Sequence, residues 1–141
     1  MQVLLKPAKA RPLKSDGSRV FVERTWPRGL DKEAARLTAW LRELAPTDEL
    51  RVWFQERPTQ WPAFRRNYLE ELCDPAANHA LEDLYAIAEA QPTLTLVFAA
   101  KDARHNHAVV LKELLEGARK PPASSGPAKA AATAKKAKAR R

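Results

Sequence analysis

Cysteine is nearly absent from this sequence, since Cys73 is the only one among 141 residues. A single cysteine cannot form an intramolecular disulfide, and one thiolate cannot complete a structural zinc site built on cysteines. A domain without disulfides is typical of a reducing compartment. We interpret Cys73 as a small, buried hydrophobic residue.

Long apolar runs are also absent. The run Val3-Leu4-Leu5 is too short for the core of a signal peptide, and Pro7 ends it. No stretch approaches the roughly 20 apolar residues that a membrane-spanning helix needs. We therefore expect a soluble, cytoplasmic protein without a membrane partner.

Acidic residues are missing from the C-terminal segment. Of the 25 basic residues, eight lie from position 119 onward, where there is no acid, so the remainder has 17 basic and 17 acidic residues. The segment also lacks aromatic and large aliphatic residues, and it cannot bury enough apolar surface to offset its ordering entropy. We expect a folded domain over 1–117 and a disordered basic tail over 118–141.

The hydrophobic pattern of the domain predicts the α/β class. Strand-like segments lie at 3–5, 19–23 and 93–99. Helical spacing occurs at 31–45 (with Asp31 as the N-cap), at 48–54, from 62 to 72, at 78–90 and from about 104 to 117. Strands that alternate with helices indicate a small, largely parallel sheet of three or four strands flanked by helices, in a Rossmann-like three-layer arrangement.

Two polar segments follow the strands at 19–23 and 93–99, and they define the candidate site. Their chemically useful members are Arg24, Trp26, Arg28, Lys101, Asp102, Asn106 and His107. The carboxyl ends of parallel strands form the edge of an α/β sheet where ligands bind. The second segment also opens a helix, whose free N–H groups favour an anion. We therefore predict a phosphate or carboxylate pocket with Arg24, Arg28 and Lys101 as ligand-binding cations.

A structural interpretation of the same residues stays open. The two arginines could pair with Glu23, Asp31 or Asp102 and fix the loop, while Trp26 could close the end of the core. Likewise, the aromatic residues between 53 and 68 could form core packing or, alternatively, a base-stacking platform.

Two residues are candidates for proton transfer, namely Asp102 and His107. His107 is in register with the apolar positions of the last helix, so a half-buried, hydrogen-bonded histidine is the alternative. His105 and His107 are two residues apart on a helix and point in different directions, so we expect no metal site there. The sequence shows no motif that calls for a cofactor, and we expect none.

A longer pattern resembles a known family. Residues 19–30, RVFVERTWPRGL, resemble the "RVLVDRLWPRGL" signature of the small bacterial YeaO-like proteins, a family built on domain of unknown function 488. Segments 45–51, 61–72 and 96–111 resemble further family stretches in order, so that the likeness spans about residues 3–117. The resemblance implies the domain limits and marks the candidate residues as signature positions, but it implies no reaction. Where many relatives carry a histidine shortly after the "WF" pair, this chain has Glu56.

Two functional hypotheses follow. The first is a small α/β protein, either an enzyme or a binding protein, that binds a small phosphorylated or carboxylated ligand at the strand ends. The second is a protein that associates with nucleic acid nonspecifically through its tail, because phosphate contacts carry no sequence information. The tail residues concerned are Lys129, Lys135, Lys136, Lys138, Arg140 and Arg141.

Overall fold

The computed structural model describes residues 2–117, which form an α/β domain around a four-stranded parallel sheet. The strands are β1 (Gln2–Pro7), β2 (Ser18–Phe21), β3 (Ala39–Trp40) and β4 (Thr93–Phe98), in the spatial order β1-β4-β2-β3. Every pair is parallel. The predicted α/β class with a small parallel sheet is confirmed. The predicted tail at 118–141 lies outside the described residues.

Four helices cover one side of the sheet, which we call the helical face. They are α2 (Asp48–Glu56), α3 (Trp61–Glu71), α4 (Pro75–Ala90) and α5 (His107–Gly117). Alternate strand residues such as Val20, Leu94 and Leu96 point into this core and are fully buried. The aromatic rings of Phe54, Trp61, Phe64 and Tyr68 stack within or against it, as the core-packing interpretation predicts.

Loops cover the opposite side, which we call the loop-covered face. The covering segments are residues 8–17, with a 3-10 turn at Lys14–Asp16, and residues 25–42, with the one-turn helix α1 (Lys32–Ala35). Phe21 and Val97 are buried beneath them. The ring centroids of Trp26 and Trp40 lie 5.2 and 5.9 Å from that of Phe21, so the two indoles replace a helical layer here.

A buried ion pair anchors this loop cover to the sheet. Arg19 on β2 donates from Nη1 to Oδ2 of Asp16 at 2.8 Å and from Nε to the Ala35 carbonyl at 2.9 Å. Nζ of Lys6 lies 2.8 Å from Oδ1 of the same aspartate. Burial opposes ionisation of Asp16, but hydrogen bonds from Lys6, the Leu13 N–H and Arg19 outweigh it and hold its pKa below the ordinary value.

The helix predicted over residues 31–45 is wrong beyond its first turn. Asp31 caps α1 as expected, but Arg36 adopts a left-handed conformation (φ 50°) and ends it. The apolar residues that follow divide between the two faces, with Leu37 and Trp40 on the loop-covered face and Leu41 and Leu44 on the helical face. Extended backbone allows the adjacent residues Trp40 and Leu41 to point to opposite faces, because side chains alternate along a strand. The Leu41 N–H donates to the Phe21 carbonyl of β2 at 2.9 Å.

The environment of Cys73 also differs from the prediction. The residue is exposed, not buried. It lies in the short connection between α3 and α4, just after the buried Leu72. The prediction followed from the frequent burial of lone cysteines, whereas a connection between two helices lies at the surface.

No helix within residues 2–117 is long and apolar enough to cross a membrane. The longest, α4, has 16 residues. A bilayer core requires about 20 predominantly apolar residues in a helix. Glu82, Asp83 and Glu89 also lie on α4, so it is amphipathic and packs on the sheet with one side only.

Two glycines with positive φ provide a matched test of the close approach between β2 and β4. A Cβ on Gly17 (φ 67°) would lie 2.1 Å from the Thr93 carbonyl oxygen, whereas a Cβ on Gly29 (φ 83°) would meet nothing within 4 Å. We expect Gly29→Ala to lower the free energy of unfolding by about 1–2 kcal/mol, the cost of the left-handed backbone alone. Gly17→Ala should lower it by clearly more in urea denaturation, and equal losses would contradict the packing described here.

Candidate functional site

The ends of β2 and β4 form a crevice at a switch in chain direction. After β2, the chain passes to the loop-covered face, where Trp26 and Leu30 pack. After β4, it passes to α5 on the helical face. Adjacent parallel strands whose connections leave on opposite sides create the usual ligand-binding crevice of open α/β sheets. The topological switch point thus lies at the strand ends that the sequence analysis singled out, and ligand binding there stays a prediction.

The carboxylate of Glu23 occupies this crevice. Its Oε2 accepts a hydrogen bond from the Ala99 N–H at 2.7 Å, which joins the end of β2 to the end of β4. Oε2 also lies 3.8 Å from Nε2 of His107. The Glu23 side chain is 15% exposed, so solvent reaches it. An anion from the chain itself thus lies where an anionic ligand was predicted.

His107 lies beneath this carboxylate in a fixed protonation state. Its Nε2 is 2.8 Å from the Val22 carbonyl. Because a carbonyl oxygen only accepts, Nε2 must carry the proton and donate it. Burial lowers the pKa of His107, and the nearby Glu23 and the Val22 carbonyl only partly oppose this effect. The imidazole is therefore neutral near pH 7 and matches the predicted hydrogen-bonded histidine.

Asp102 and Asn106 satisfy the N–H groups of the loop that opens α5. Oδ1 of Asp102 accepts from the Arg104 N–H at 2.8 Å and from the His105 N–H at 3.2 Å. Oδ1 of Asn106 accepts from the Val109 N–H at 3.2 Å. The hydrogen bond from the Arg104 N–H is the largest influence on Asp102 and, despite some burial, lowers the pKa of its carboxyl. The helix start that was predicted to hold an anion is thus capped by the chain's own side chains.

The predicted cations do not converge on one point. Arg24 reaches toward the helical face and donates to the Ala45 carbonyl at 3.2 Å. Trp26 turns to the loop-covered face and donates to the Leu30 carbonyl at 2.6 Å. Arg28 and Lys101 are exposed. The structure brings Asp102, Asn106 and His107 together in one segment and sends Arg24 and Trp26 to opposite sides.

Arg24 also lines an open groove of about 930 Å³ on the helical face. It is the single cation among the residues that line this groove. Five carboxylates surround it, namely Glu43, Glu49, Glu70, Glu71 and Asp74. This groove is acidic, so it does not provide the predicted anion pocket.

Two residues of the site were not singled out by the sequence. Glu23 was considered only as a partner of the arginines, although a carboxylate directly after a strand is itself a signal of a polar strand end. Tyr68 was placed in the core, where it is fully buried, yet its hydroxyl donates to the Leu44 carbonyl at 2.6 Å and its ring meets that of His107 edge-on at 5.8 Å. Burial, together with Glu23 and Glu71, raises the pKa of Tyr68 well above 10.

Metal-binding groups are not assembled in this part of the chain. Within residues 2–117, no group of three or more histidine, cysteine, aspartate or glutamate side chains is arranged to hold a metal ion. The nearest pair, Nδ1 of His105 and Oδ2 of Asp102 at 3.5 Å, is exposed. The centroid of the His105 ring lies 5.0 Å from that of Trp61, so this pair fixes the loop against α3.

Comparison with known proteins identifies the family. The sequence model described as "Inactive DUF488-N3 subclade" matches residues 2–132, and the chain therefore belongs to the DUF488 family. The chain is 43% identical to the uncharacterised protein YeaO of Escherichia coli K12 over 103 residues, which cover 72% of this chain and 85% of that protein. It is 38% identical to an uncharacterised protein of Mycobacterium tuberculosis H37Rv over 102 residues, which cover 72% and 83% respectively. No solved structure matches the chain significantly.

The neutral state of His107 predicts a dependence of stability on pH. The folded-state pKa lies below the ordinary value of 6.5. As the pH falls below 6.5, the unfolded chain therefore takes up the proton first, and the free energy of unfolding decreases by at most about 1.4 kcal/mol per pH unit. His107→Gln, which keeps an N–H donor but does not titrate, should lose this decrease in urea denaturation between pH 7 and 5. His79→Gln, an exposed control, should retain it, and a wild type that gains stability on acidification would show that attraction to Glu23 outweighs burial.

Proposed function

We propose that this protein is a non-catalytic binding protein whose strand-end crevice takes the anionic group of a small phosphorylated or carboxylated ligand in exchange for Glu23. The observation that carries the proposal is the hydrogen bond from the Ala99 N–H to the Glu23 carboxylate. A backbone N–H that holds one carboxylate has the geometry to hold another oxyanion. The proposed ligand group is therefore a phosphate or a carboxylate.

Exchange is favoured by what surrounds Glu23. Its carboxylate has no lysine or arginine partner within residues 2–117. Lys101 is exposed two residues beyond Ala99, and it forms no ion pair in the described part of the chain. A ligand anion would gain this charge in addition to the Ala99 N–H. This additional attraction favours a ligand anion from solution over the Glu23 carboxylate, which would turn outward to solvent.

Catalysis is disfavoured by the two candidate proton-transfer groups. A general acid or base must be within reach of its substrate and have a pKa near the working pH. The lowered pKa of Asp102 keeps it ionised, and both N–H groups that it holds belong to its own loop. The proton of His107 is committed to the Val22 carbonyl. The word "Inactive" in the description of the matching family model agrees with this view.

Removal of Glu23 tests the exchange. In thermal-shift titrations of the full chain with inorganic phosphate or acetate at constant ionic strength, Glu23→Ala should start with a lower melting temperature than wild type, because the Ala99 N–H loses its acceptor. Either anion should then raise it saturably. A ligand at 100 times its dissociation constant stabilises a protein by about 2.7 kcal/mol. The apparent affinity should exceed that of wild type by roughly tenfold or more, since no internal carboxylate competes.

Glu89→Ala provides the control, because Glu89 is an exposed carboxylate at the far end of α4. It should not change the response to phosphate. In the Glu23→Ala background, Lys101→Ala should weaken the response again. The proposal is wrong if Glu23→Ala and Glu89→Ala respond to the anions alike.

A second candidate is association with nucleic acid through the tail. It is supported by the eight basic residues from 119 onward, which have no acidic neighbour in that segment. Each cation that engages a duplex phosphate adds about 0.9 to the slope of log affinity against log salt. Replacement of the six residues Lys129, Lys135, Lys136, Lys138, Arg140 and Arg141 by glutamine should weaken binding to duplex DNA and flatten this slope by up to about 5. An unchanged slope would exclude a role of these six residues.

A further inference from the structure

The neutral charge of residues 2–117 conceals a strong separation of charge. Residues 8–17 and 25–42, which form the loop cover, contain seven exposed cations, namely Lys9, Arg11, Lys14, Arg28, Lys32, Arg36 and Arg42. Against them stand two exposed carboxylates, Asp31 and Glu33, because Asp16 is buried in its ion pair. Residues 43–117 have the opposite balance, with seven cations and 13 acids. The molecule is therefore positive on its loop-covered face and negative on its helical face.

The cations of the two faces also differ in their partners. On the helical face, Arg51, Arg57, Arg65 and Lys112 each pair with a carboxylate. On the loop-covered face, none of the seven exposed cations forms an ion pair within residues 2–117. Their charges are thus available to an external anion.

Two of these cations lie on aromatic rings. The guanidinium of Arg42 is 4.1 Å from the centroid of the Trp40 ring, and Nζ of Lys32 lies 5.7 and 5.9 Å from the Trp26 and Trp40 rings. The indole N–H groups bond to backbone carbonyls of Leu30 and Glu23, which holds both rings in place. The rings thereby fix the position of the charged groups without neutralising them.

We propose that the loop-covered face binds nucleic acid through its phosphate backbone, without sequence preference. A protein partner would need an apolar centre, yet the large exposed hydrophobic residues of the described chain are only Leu13 and Val52, and Val52 is on the helical face. A surface of unpaired cations without such a centre obtains its affinity from charge, as phosphate-backbone contacts do. The basic tail would add contacts of the same kind. This proposal is independent of the anion site at the strand ends.

The test uses the full chain with all eight basic residues from 119 onward replaced by glutamine, so that the folded face is measured without the tail cations. Binding to a fluorescent duplex of random sequence is followed by anisotropy over a salt series. Addition of Arg28→Gln, Lys32→Gln and Arg36→Gln should lower the affinity by at least about tenfold at 0.1 M salt and flatten the salt slope by about 3. Circular dichroism melting confirms that each variant remains folded.

The matched control removes the same net charge from the helical face, through Arg51→Gln, Arg57→Gln and Arg66→Gln. It should leave the affinity and the salt slope within twofold of the parent. Equal losses from the two triple variants would overturn the proposal, because net charge and not the loop-covered face would then govern binding. Absence of duplex binding by the tail-neutralised parent would overturn it as well, as would binding to phosphatidylserine vesicles without binding to DNA.

Discussion

The buried contact between Asp16 and Arg19 is the interaction on which the loop-covered face depends. Both side chains are almost inaccessible to solvent, and the Asp16 carbonyl also accepts from the Thr95 hydroxyl of β4 at 2.8 Å. The segment before β2 is thus tied to the central strand and, through Lys6, to β1. A buried pair adds little over apolar packing, but the loss of one partner leaves an uncompensated charge that costs about 3–5 kcal/mol. The ion pair therefore fixes the position of the loops on the sheet more than it raises the free energy of unfolding.

Because loops take the place of a helical layer, the chain must cover this face with few residues. The link from Arg19 Nε to the Ala35 carbonyl holds the end of α1 over the sheet, and the two indoles fill the space between α1 and Phe21. This path also carries the chain away from β2 on the side opposite to α5. The position of the loops on the sheet therefore produces both the crevice at the strand ends and the charged surface above Trp26 and Trp40.

The sequence predicts the helices and strands whose hydrophobic spacing fits one type of element. It fails where the apolar residues of one segment divide between the two faces of the sheet. The buried strand at 93–98 and the helices after 47 follow from composition and helical spacing. Leu37, Trp40, Leu41 and Leu44 have helical spacing too, but the free edge of β2 offered hydrogen bonds to a strand there. The location of the candidate site was predictable because strand ends were. The presence of Glu23 in this site could not be predicted, because its carboxylate bonds to a backbone N–H that lies 76 residues further along the chain.

The strand-end crevice and the loop-covered face differ more in whether their charged groups have partners than in how many charged groups they contain. Around the crevice, Glu23, Asp102 and Asn106 supply acceptors for the exposed N–H groups, so folding itself satisfies the site. On the loop-covered face, the cations stay without carboxylate partners, although exposed ion pairs would form at small cost and contribute at most about 1 kcal/mol each. Pairing or segregation of these surface charges would therefore change the free energy of unfolding only slightly. The seven cations of this face repel one another in the folded state, and a bound polyanion would relieve this repulsion.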